Sequence, residues 1–293
     1  MTLRAGTVAV VGRPNTGKST LVNALVGSKV SIVSDKPQTT RGNVHAILTT
    51  EEHQIVFTDT PGFHKPRTPL GARMNQLVSE ATEGVDAIVQ VVDAAAGVGR
   101  GDAFVYRNQV AGFPGPKLCA VNKLDLLHGR REIPELQAAA GLGEWDEIVP
   151  VSATSGRGVQ TLLALLLERL PEGPALFPTD QVTDQALEVR LAEIVREKAL
   201  ALTREEVPHS IAVVVEDVER DGNLTRVPAT IVVERDSQKG ILIGKGGATL
   251  KVIGTQAREE IERLLGTKVF LELRVKVLKE WQKDPKALQR LGF

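Results

Sequence analysis

The stretch GTVAVVGRPNTGKST, residues 6–20, decides the fold. An apolar run of β-branched residues, Thr7–Val11, is followed at once by Gly12-Arg-Pro-Asn-Thr-Gly-Lys-Ser19, which fits G-x-x-x-x-G-K-[ST] in full. The pattern stands where its mechanism needs it, after a strand and before a helix predicted over Lys18–Val26. Glycines let the backbone of Gly12, Arg13, Pro14, Asn15, Thr16 and Gly17 wrap closely round an anion, with Thr20 just inside the helix. Successive N–H groups then point inward, and the helix amino end adds positive potential. Lys18 reaches the β- and γ-phosphates of a bound nucleotide, and the Ser19 hydroxyl ligates Mg²⁺.

Working outward, apolar runs alternate with helical patterns through the first half. Strands are predicted at Val44–Leu48, Gln54–Thr58, Val85–Val92, Pro116–Val121 and Glu147–Val151. This alternation predicts an α/β domain, a doubly wound and mostly parallel sheet with helices on both faces.

The loop alone does not choose between adenine and guanine. Asn122-Lys-Leu-Asp125, at a predicted strand end, makes that choice. The Asp125 carboxylate can accept two hydrogen bonds from guanine N1–H and the 2-amino group, a donor pair that adenine lacks. Asn122 can brace the loop and contact the base, and the stem of Lys123 can cover the ring. Val151-Ser152-Ala153 supplies a loop over the base whose backbone N–H can bond O6. Asp59-Thr-Pro-Gly62 places Asp59 to hold Mg²⁺ and the Gly62 N–H to sense the γ-phosphate. Gln38-Thr-Thr-Arg41 offers a threonine to the metal, Thr40 by preference and Thr39 as the alternative. Loss of the γ-phosphate releases residues 37–41 and 59–66, the physical basis of a switch. GTP or GDP with Mg²⁺ is therefore the expected cofactor.

Leu170-Pro-Glu-Gly-Pro-Ala-Leu-Phe-Pro178 reads as a linker, with three prolines and a glycine. The predicted organisation is a nucleotide-binding domain over residues 1–172, a linker over 173–184 and a second domain over 185–293. In the latter, Ala186–Leu202 has helical periodicity. Strands are expected at Ile211–Val218 and Ala229–Glu234, around the turn Arg220-Asp-Gly-Asn223. A helix through Leu265 and the strand Val269–Val277 close the pattern. Between helices lies Gly244-Lys245-Gly246-Gly247. It lacks the G-K-[ST] ending and is too short to encircle a polyphosphate. The frame G-x-x-G in an α-β-β-α-α-β order fits a type II KH loop, whose backbone packs against single-stranded nucleic acid. Lys251 adds charge nearby.

Net charge is zero, from 36 basic and 36 acidic residues, but the average hides a split. Residues 178–234 hold 6 Lys/Arg and 12 Asp/Glu, and residues 235–293 hold 13 and 7, net −6 and +6. The basic segment suits an anionic partner. The single cysteine, Cys119, excludes a disulfide framework and reads as a buried small hydrophobe. No amino-terminal signal pattern is visible, and the run Leu162–Leu167 is too short to span a bilayer. A cytoplasmic monomer is expected.

The motifs in this order resemble those of translation-factor-like GTPases. The phrases GRPNTGKSTLVNALVG, QTTR and DTPGFH are similar to the Era-type branch, with Thr16 where the family usually has valine. So are IVREKAL, VPHSIAVVVE, ATIVVERDSQKGILIGKGGATLKVIGTQAR, VFLELRVKV and the closing W-x-x-D-P-x-A-L-x-x-L-G. The resemblance covers essentially the whole chain. It implies slow GTP hydrolysis without a water-orienting glutamine, since Phe63 follows DTPG. It implies that Asn15 helps bind K⁺; a turn-stabilising residue is the other reading of Asn15. It implies binding to the 3′ end of 16S rRNA through the KH loop, gated by GTP, in assembly of the 30S subunit. Lys276, Lys279 and Trp281 extend the RNA-facing strip, packing being the alternative for Trp281. A second function remains open at this point: a signalling GTPase peripherally bound to the inner face of the membrane, its C-terminal domain recognising protein or lipid. A metabolic kinase is disfavoured by Asn122-Lys-Leu-Asp125.

Overall fold

A computed structural model describes residues 3–36, 38–66, 68–127, 132–204 and 207–293. Pro37, at the start of the predicted switch segment, lies outside the described residues. The chain forms two compact units, one running to Asp184 and one from Gln185 to Phe293, with the short segments Ser34–Thr39 and Thr68–Leu70 grouped with the second.

The first unit is built as β1 (Arg4–Val11), α1 (Lys18–Val26), β2 (Val44–Thr49), β3 (His53–Asp59), α2 (Pro69–Ala81), β4 (Ala87–Asp93), α3 (Arg100–Val105), β5 (Lys117–Asn122), α4 (Glu132–Ala140), β6 (Glu147–Pro150) and α5 (Val159–Leu167). The six strands lie in the order β2-β3-β1-β4-β5-β6. Only β2 runs antiparallel to its neighbour. The near-continuous apolar strands are buried on both faces, as a doubly wound sheet requires. Val8, Val10, Val89 and Val91 pack with Leu21, Val22 and Leu25 of α1 and Leu162 and Leu166 of α5. Alternate residues Ala9, Val11 and Ile88 pack on the other face against Val78 of α2 and Val105 of α3. Cys119 is fully buried, and burial pushes its thiol well above the usual range, so it is inert packing. The parallel strands β1, β3, β4, β5 and β6 all end on one edge of the sheet. The predicted motifs follow those ends, which is where such folds place ligands.

The proline-rich stretch after α5 is held against the sheet. Gln54 of β3, fully buried, accepts from the amides of Leu176 and Phe177 at 2.6 and 2.9 Å and donates to the Phe177 carbonyl at 2.8 Å. Further on, the Ile47 amide of β2 donates to the Val182 carbonyl at 2.9 Å.

The second unit comprises α6 (Leu187–Ala201), β7 (Ala212–Val215), β8 (Glu219–Asp221), β9 (Leu224–Val233), α7 (Asp236–Ile243), α8 (Ala248–Leu265), β10 (Lys268–Val277) and α9 (Pro285–Arg290). Strand β9 is central, parallel to β10 and antiparallel to β7 and β8. Leu191, Ile194, Val195 and Ala199 of α6 are buried, as their spacing predicts. The predicted strand starting at Ala229 begins instead at Leu224, because the turn at Asp221–Leu224 closes a β8–β9 hairpin. Pro228 is tolerated within β9 because pairing with β7 starts one residue later, at Ala229. This is a KH-type α+β fold with a short added hairpin.

Candidate nucleotide and nucleic-acid sites

The P-loop turns between β1 and α1. Lys18 is buried, and its Nζ donates to the carbonyls of Gly12 and Arg13 at 3.3 and 3.0 Å. Thr16 closes the turn, its Oγ1 donating to the Arg13 carbonyl at 3.1 Å. Asn15 is exposed with φ 64°, a left-handed conformation that asparagine adopts more readily than most residues. Pro14 meets the segment after β3: a Cβ on Gly62 would lie 2.6 Å from the Pro14 N and Cα. Glycine is thus the residue that lets this segment approach the P-loop, and the next amide, Phe63 N, donates to the Gly12 carbonyl at 3.0 Å. The Phe63 ring is buried and stacks on Phe104 at 5.4 Å, so its side chain is turned into the core.

Three oxygens gather beside the lysine. Ser19 Oγ lies 2.9 Å from Thr40 Oγ1, which donates to Asp59 Oδ2 at 3.4 Å. Thr39 turns elsewhere, its hydroxyl donating to the Lys36 carbonyl at 2.6 Å. Of the two threonines, Thr40 is the one whose hydroxyl lies beside Ser19 and Asp59. The other Asp59 oxygen, Oδ1, is buried without a hydrogen-bond partner. Burial raises the Asp59 pKa above the usual carboxylate range, opposed by the Lys18 charge and by neighbouring hydroxyls. Burial likewise lowers Lys18 to about 8, with Asp59 pulling the other way. A buried carboxylate with one orphaned oxygen, its other oxygen held by Thr40 next to Ser19, fits a hard divalent cation. Among the described residues no cluster of three or more His, Cys, Asp or Glu side chains competes for a metal.

The base-facing loops follow β5 and β6. Asp125 is exposed and is oriented by Ser152, whose Oγ donates to Asp125 Oδ1 at 2.6 Å. Lys123 takes φ 67°, and its Nζ reaches the Asn15 carbonyl and Asp93 Oδ2, both at 2.6 Å. Its Nζ thus ties the loop after β5 to the P-loop. Asn122 is 2% exposed; its Nδ2 donates to the Thr16 carbonyl at 2.9 Å and its Oδ1 accepts from Ala153 N at 3.0 Å. Of the two roles read for Asn122, the brace is the one visible. Within the Val151–Ala153 loop, the Ala153 amide is the one that Asn122 holds.

In the second unit the GKGG loop joins α7 to α8. Gly244, Gly246 and Gly247 have φ of 72°, 60° and 81°, the left-handed region that favours glycine. Lys245, Gly246 and Lys251 are exposed. Ile241 and Val252, on the helices that the loop joins, are 51% and 42% exposed. Ile241 belongs to the apolar run Ile241–Ile243 before the loop, and both side chains are apolar yet exposed on either side of it. Lys276 and Lys279 are exposed near the end of β10. Trp281 is not part of a surface strip. It is fully buried, its Nε1 donates to the Ser210 carbonyl at 3.1 Å, and it stacks on Phe293 at 5.6 Å. Its flat ring closes the core under the turn Pro208–Ser210, which settles its alternative readings in favour of packing.

Comparison with known proteins agrees with both halves. A family described as a 50S ribosome-binding GTPase matches residues 7–123, and the KH domain family matches residues 206–282. GTPase Era of Mycolicibacterium smegmatis is 51% identical, covering 99% of both chains. The chain belongs to the Era family of GTPases. Era of Mycobacterium tuberculosis is 49% identical over 99% of this chain and 98% of that one. Two Era crystal structures superpose with TM-scores of 0.96 and 0.95, each 41% identical over 99% of both chains. One is a complex with MgGDPNP and nucleotides 1506–1542 of 16S ribosomal RNA, the other an Aquifex aeolicus Era variant bound to GDP·AlF4⁻. As a member of the Era family, the chain is a GTPase with a C-terminal KH domain.

Proposed function

We infer that this GTPase binds single-stranded RNA at the 3′ end of 16S rRNA under control of its nucleotide and serves assembly of the 30S subunit. The reading is carried by the convergence of Ser19, Thr40 and Asp59 beside Lys18. Those three residues would hold Mg²⁺, which supplies positive charge to the β- and γ-phosphates when bound. Lys18 and the P-loop amides orient the phosphates, and Asp125, steadied by Ser152, selects guanine. Thr40 and Gly62 are the residues through which γ-phosphate contacts would order residues 37–41 and 59–66. With Phe63 buried, water placement does not rest on its side chain. Asn15, beside the phosphates, is the residue proposed to help hold K⁺.

In the KH unit, Gly244, Gly246 and Gly247 offer bare backbone to a phosphodiester, with Lys245 and Lys251 supplying charge. Lys276 and Lys279 extend that charge. Exposed Ile241 and Val252 offer apolar surface to bases. The net charge of +6 over residues 235–293 supports an anionic partner. The similarity of the whole chain to an Era bound to 16S rRNA supports that RNA as the partner. No helix among the described residues is long and apolar enough to cross a membrane. Action in the cytoplasm, with peripheral association at the inner membrane face, completes the reading.

The test is anisotropy of a labelled single-stranded RNA carrying the 3′ end of 16S rRNA, titrated with protein holding a non-hydrolysable GTP analogue or GDP. Tighter binding with the analogue is expected. Lys245→Ala should lower the slope of log K against log salt by about 0.7, the contribution of one phosphate contact on a single strand. Equal and salt-independent affinities in the two states refute the reading, and binding to anionic vesicles in place of RNA would turn it toward a membrane partner.

A further inference from the structure

Arg13 is the second residue of the P-loop, yet its guanidinium does not serve the phosphate site. It turns back from the loop to the first turn of α3 and the residues just before it. There Nε donates to Asp102 Oδ1 at 2.7 Å and Nη2 donates to the Gly97 carbonyl at 3.2 Å. Asp102 is fully buried; its Oδ2 accepts from Gly99 N at 2.9 Å, and its backbone carbonyl accepts from the buried Gln90 Nε2 at 3.0 Å. The stem of Arg13 fills the space beside Gly101, where an added Cβ would overlap the Arg13 Cδ. A carboxylate this deeply buried is a costly stability device, because desolvation offsets most of the attraction in such pairs. What the pair does achieve is to fix the Arg13 peptide.

That peptide matters because its carbonyl accepts from both Lys18 Nζ and Thr16 Oγ1. Two residues beyond Asp102 on α3, Phe104 carries the stacked ring of Phe63. The Phe63 amide in turn donates to the Gly12 carbonyl. One turn of α3 therefore holds the P-loop through Asp102 and the segment after β3 through Phe104. Resting on the nucleotide-site reading above, we propose that Arg13 and Asp102 are positioning residues. They clamp the P-loop to α3 and set the carbonyls that aim Lys18 at the β-phosphate. Phe104 sets the neighbouring Gly62 segment from the same mount. Because the β-phosphate is common to GDP and GTP, the clamp governs affinity for both alike.

The experiment measures GDP and GTP-analogue affinity by fluorescent-nucleotide titration at 20 °C, with Tm alongside. The full chain is used as wild type, Arg13→Ala, Arg13→Lys, Asp102→Asn and the Arg13→Ala/Asp102→Asn double variant. Each of Arg13→Ala and Asp102→Asn should weaken both nucleotides by about tenfold, the scale of one charge-assisted hydrogen bond. The double variant should be no weaker than the poorer single one, since the two act as a unit. Arg13→Lys should recover part of the loss by restoring the charge without the fork. Asp102→Asn preserves shape and guards against a variant that simply fails to fold. Lower Tm with both affinities within twofold of wild type would make the pair a stability element only and overturn the proposal. Failure of the wild-type protein itself to bind GDP would overturn the nucleotide-site reading, and this proposal with it.

Discussion

Asn122 is the residue whose loss should cost most for its size. It is 2% exposed and joins two loops: Nδ2 donates to the Thr16 carbonyl in the P-loop, and Oδ1 accepts the Ala153 amide after β6. Asn122→Ala removes both partners at once and leaves a buried C=O and a buried N–H unpaired. Each unmade bond costs about 1–3 kcal/mol, so the arrangement of the two loops loses about 2–6 kcal/mol. Part of this appears as lower stability, because relaxed loops admit water. The remainder is charged against nucleotide binding, which needs both loops in place. With about 2 kcal/mol on that side, GDP affinity falls about 30-fold. Asn122→Asp should be comparably damaging although it is isosteric. It keeps an acceptor for Ala153 but turns a second oxygen on the Thr16 carbonyl. Titration calorimetry with GDP at 25 °C, with Tm measured free and GDP-saturated, reads both parts. If Asn122→Ala binds GDP within threefold of wild type and melts at the same temperature, the brace between these loops carries no energy and the reasoning is wrong.

Asp125→Asn should exchange guanine for xanthine, because the new side-chain N–H₂ meets the xanthine 2-carbonyl. Two lost charge-assisted bonds make the fall in GTP affinity about two to four decades, and intact GTP preference in competition binding would refute the base assignment. Lys18, at about 8 rather than 10.5, gives a linkage with a definite sign. Between those values the ligand-free fold holds fewer protons than the unfolded chain, so its stability rises with pH in that window. Phosphate restores the lysine charge, so GDP binding near pH 9 should take up a proton. Calorimetry in two buffers of different ionisation enthalpy checks this; no uptake refutes it. Trp281→Ala should destabilise the protein by about 3–5 kcal/mol, as removal of a fully buried tryptophan does. A fall in RNA affinity at unchanged stability would return Trp281 to the surface.

What was legible in the sequence is what local spacing dictates. The helix after the P-loop follows from Gly17-Lys18-Ser19, and the buried strands from their β-branched runs. Type II KH order was legible from periodicity, though the start of β9 was hidden by Pro228, a residue that ordinarily argues against a central strand. The long-range closures were not legible. Asn122 to Thr16 spans 106 residues and Arg13 to Asp102 spans 89. No local pattern marks an asparagine that braces or an arginine that turns away from an anion. Trp281 followed a basic run, which suits a stacking platform. Its burial depends on the Ser210 carbonyl, 71 residues earlier. Gln54 is a polar residue in an apolar strand, a signal whose partner only the fold discloses.

The hold of Gln54 and Ile47 on residues 176–182 has a consequence for the behaviour of the protein at high concentration. Strand β2 ends the sheet, and Val44, Ala46 and Ile47 make it apolar. A bare outer strand of this kind is a template for pairing with another chain. Val182 takes the amide of Ile47, and Asp184 takes His45 Nδ1 at 2.6 Å, so the linker residues just past the proline-rich run stand guard there. The segment that reads as a joint between domains is thus also a gatekeeper against self-association.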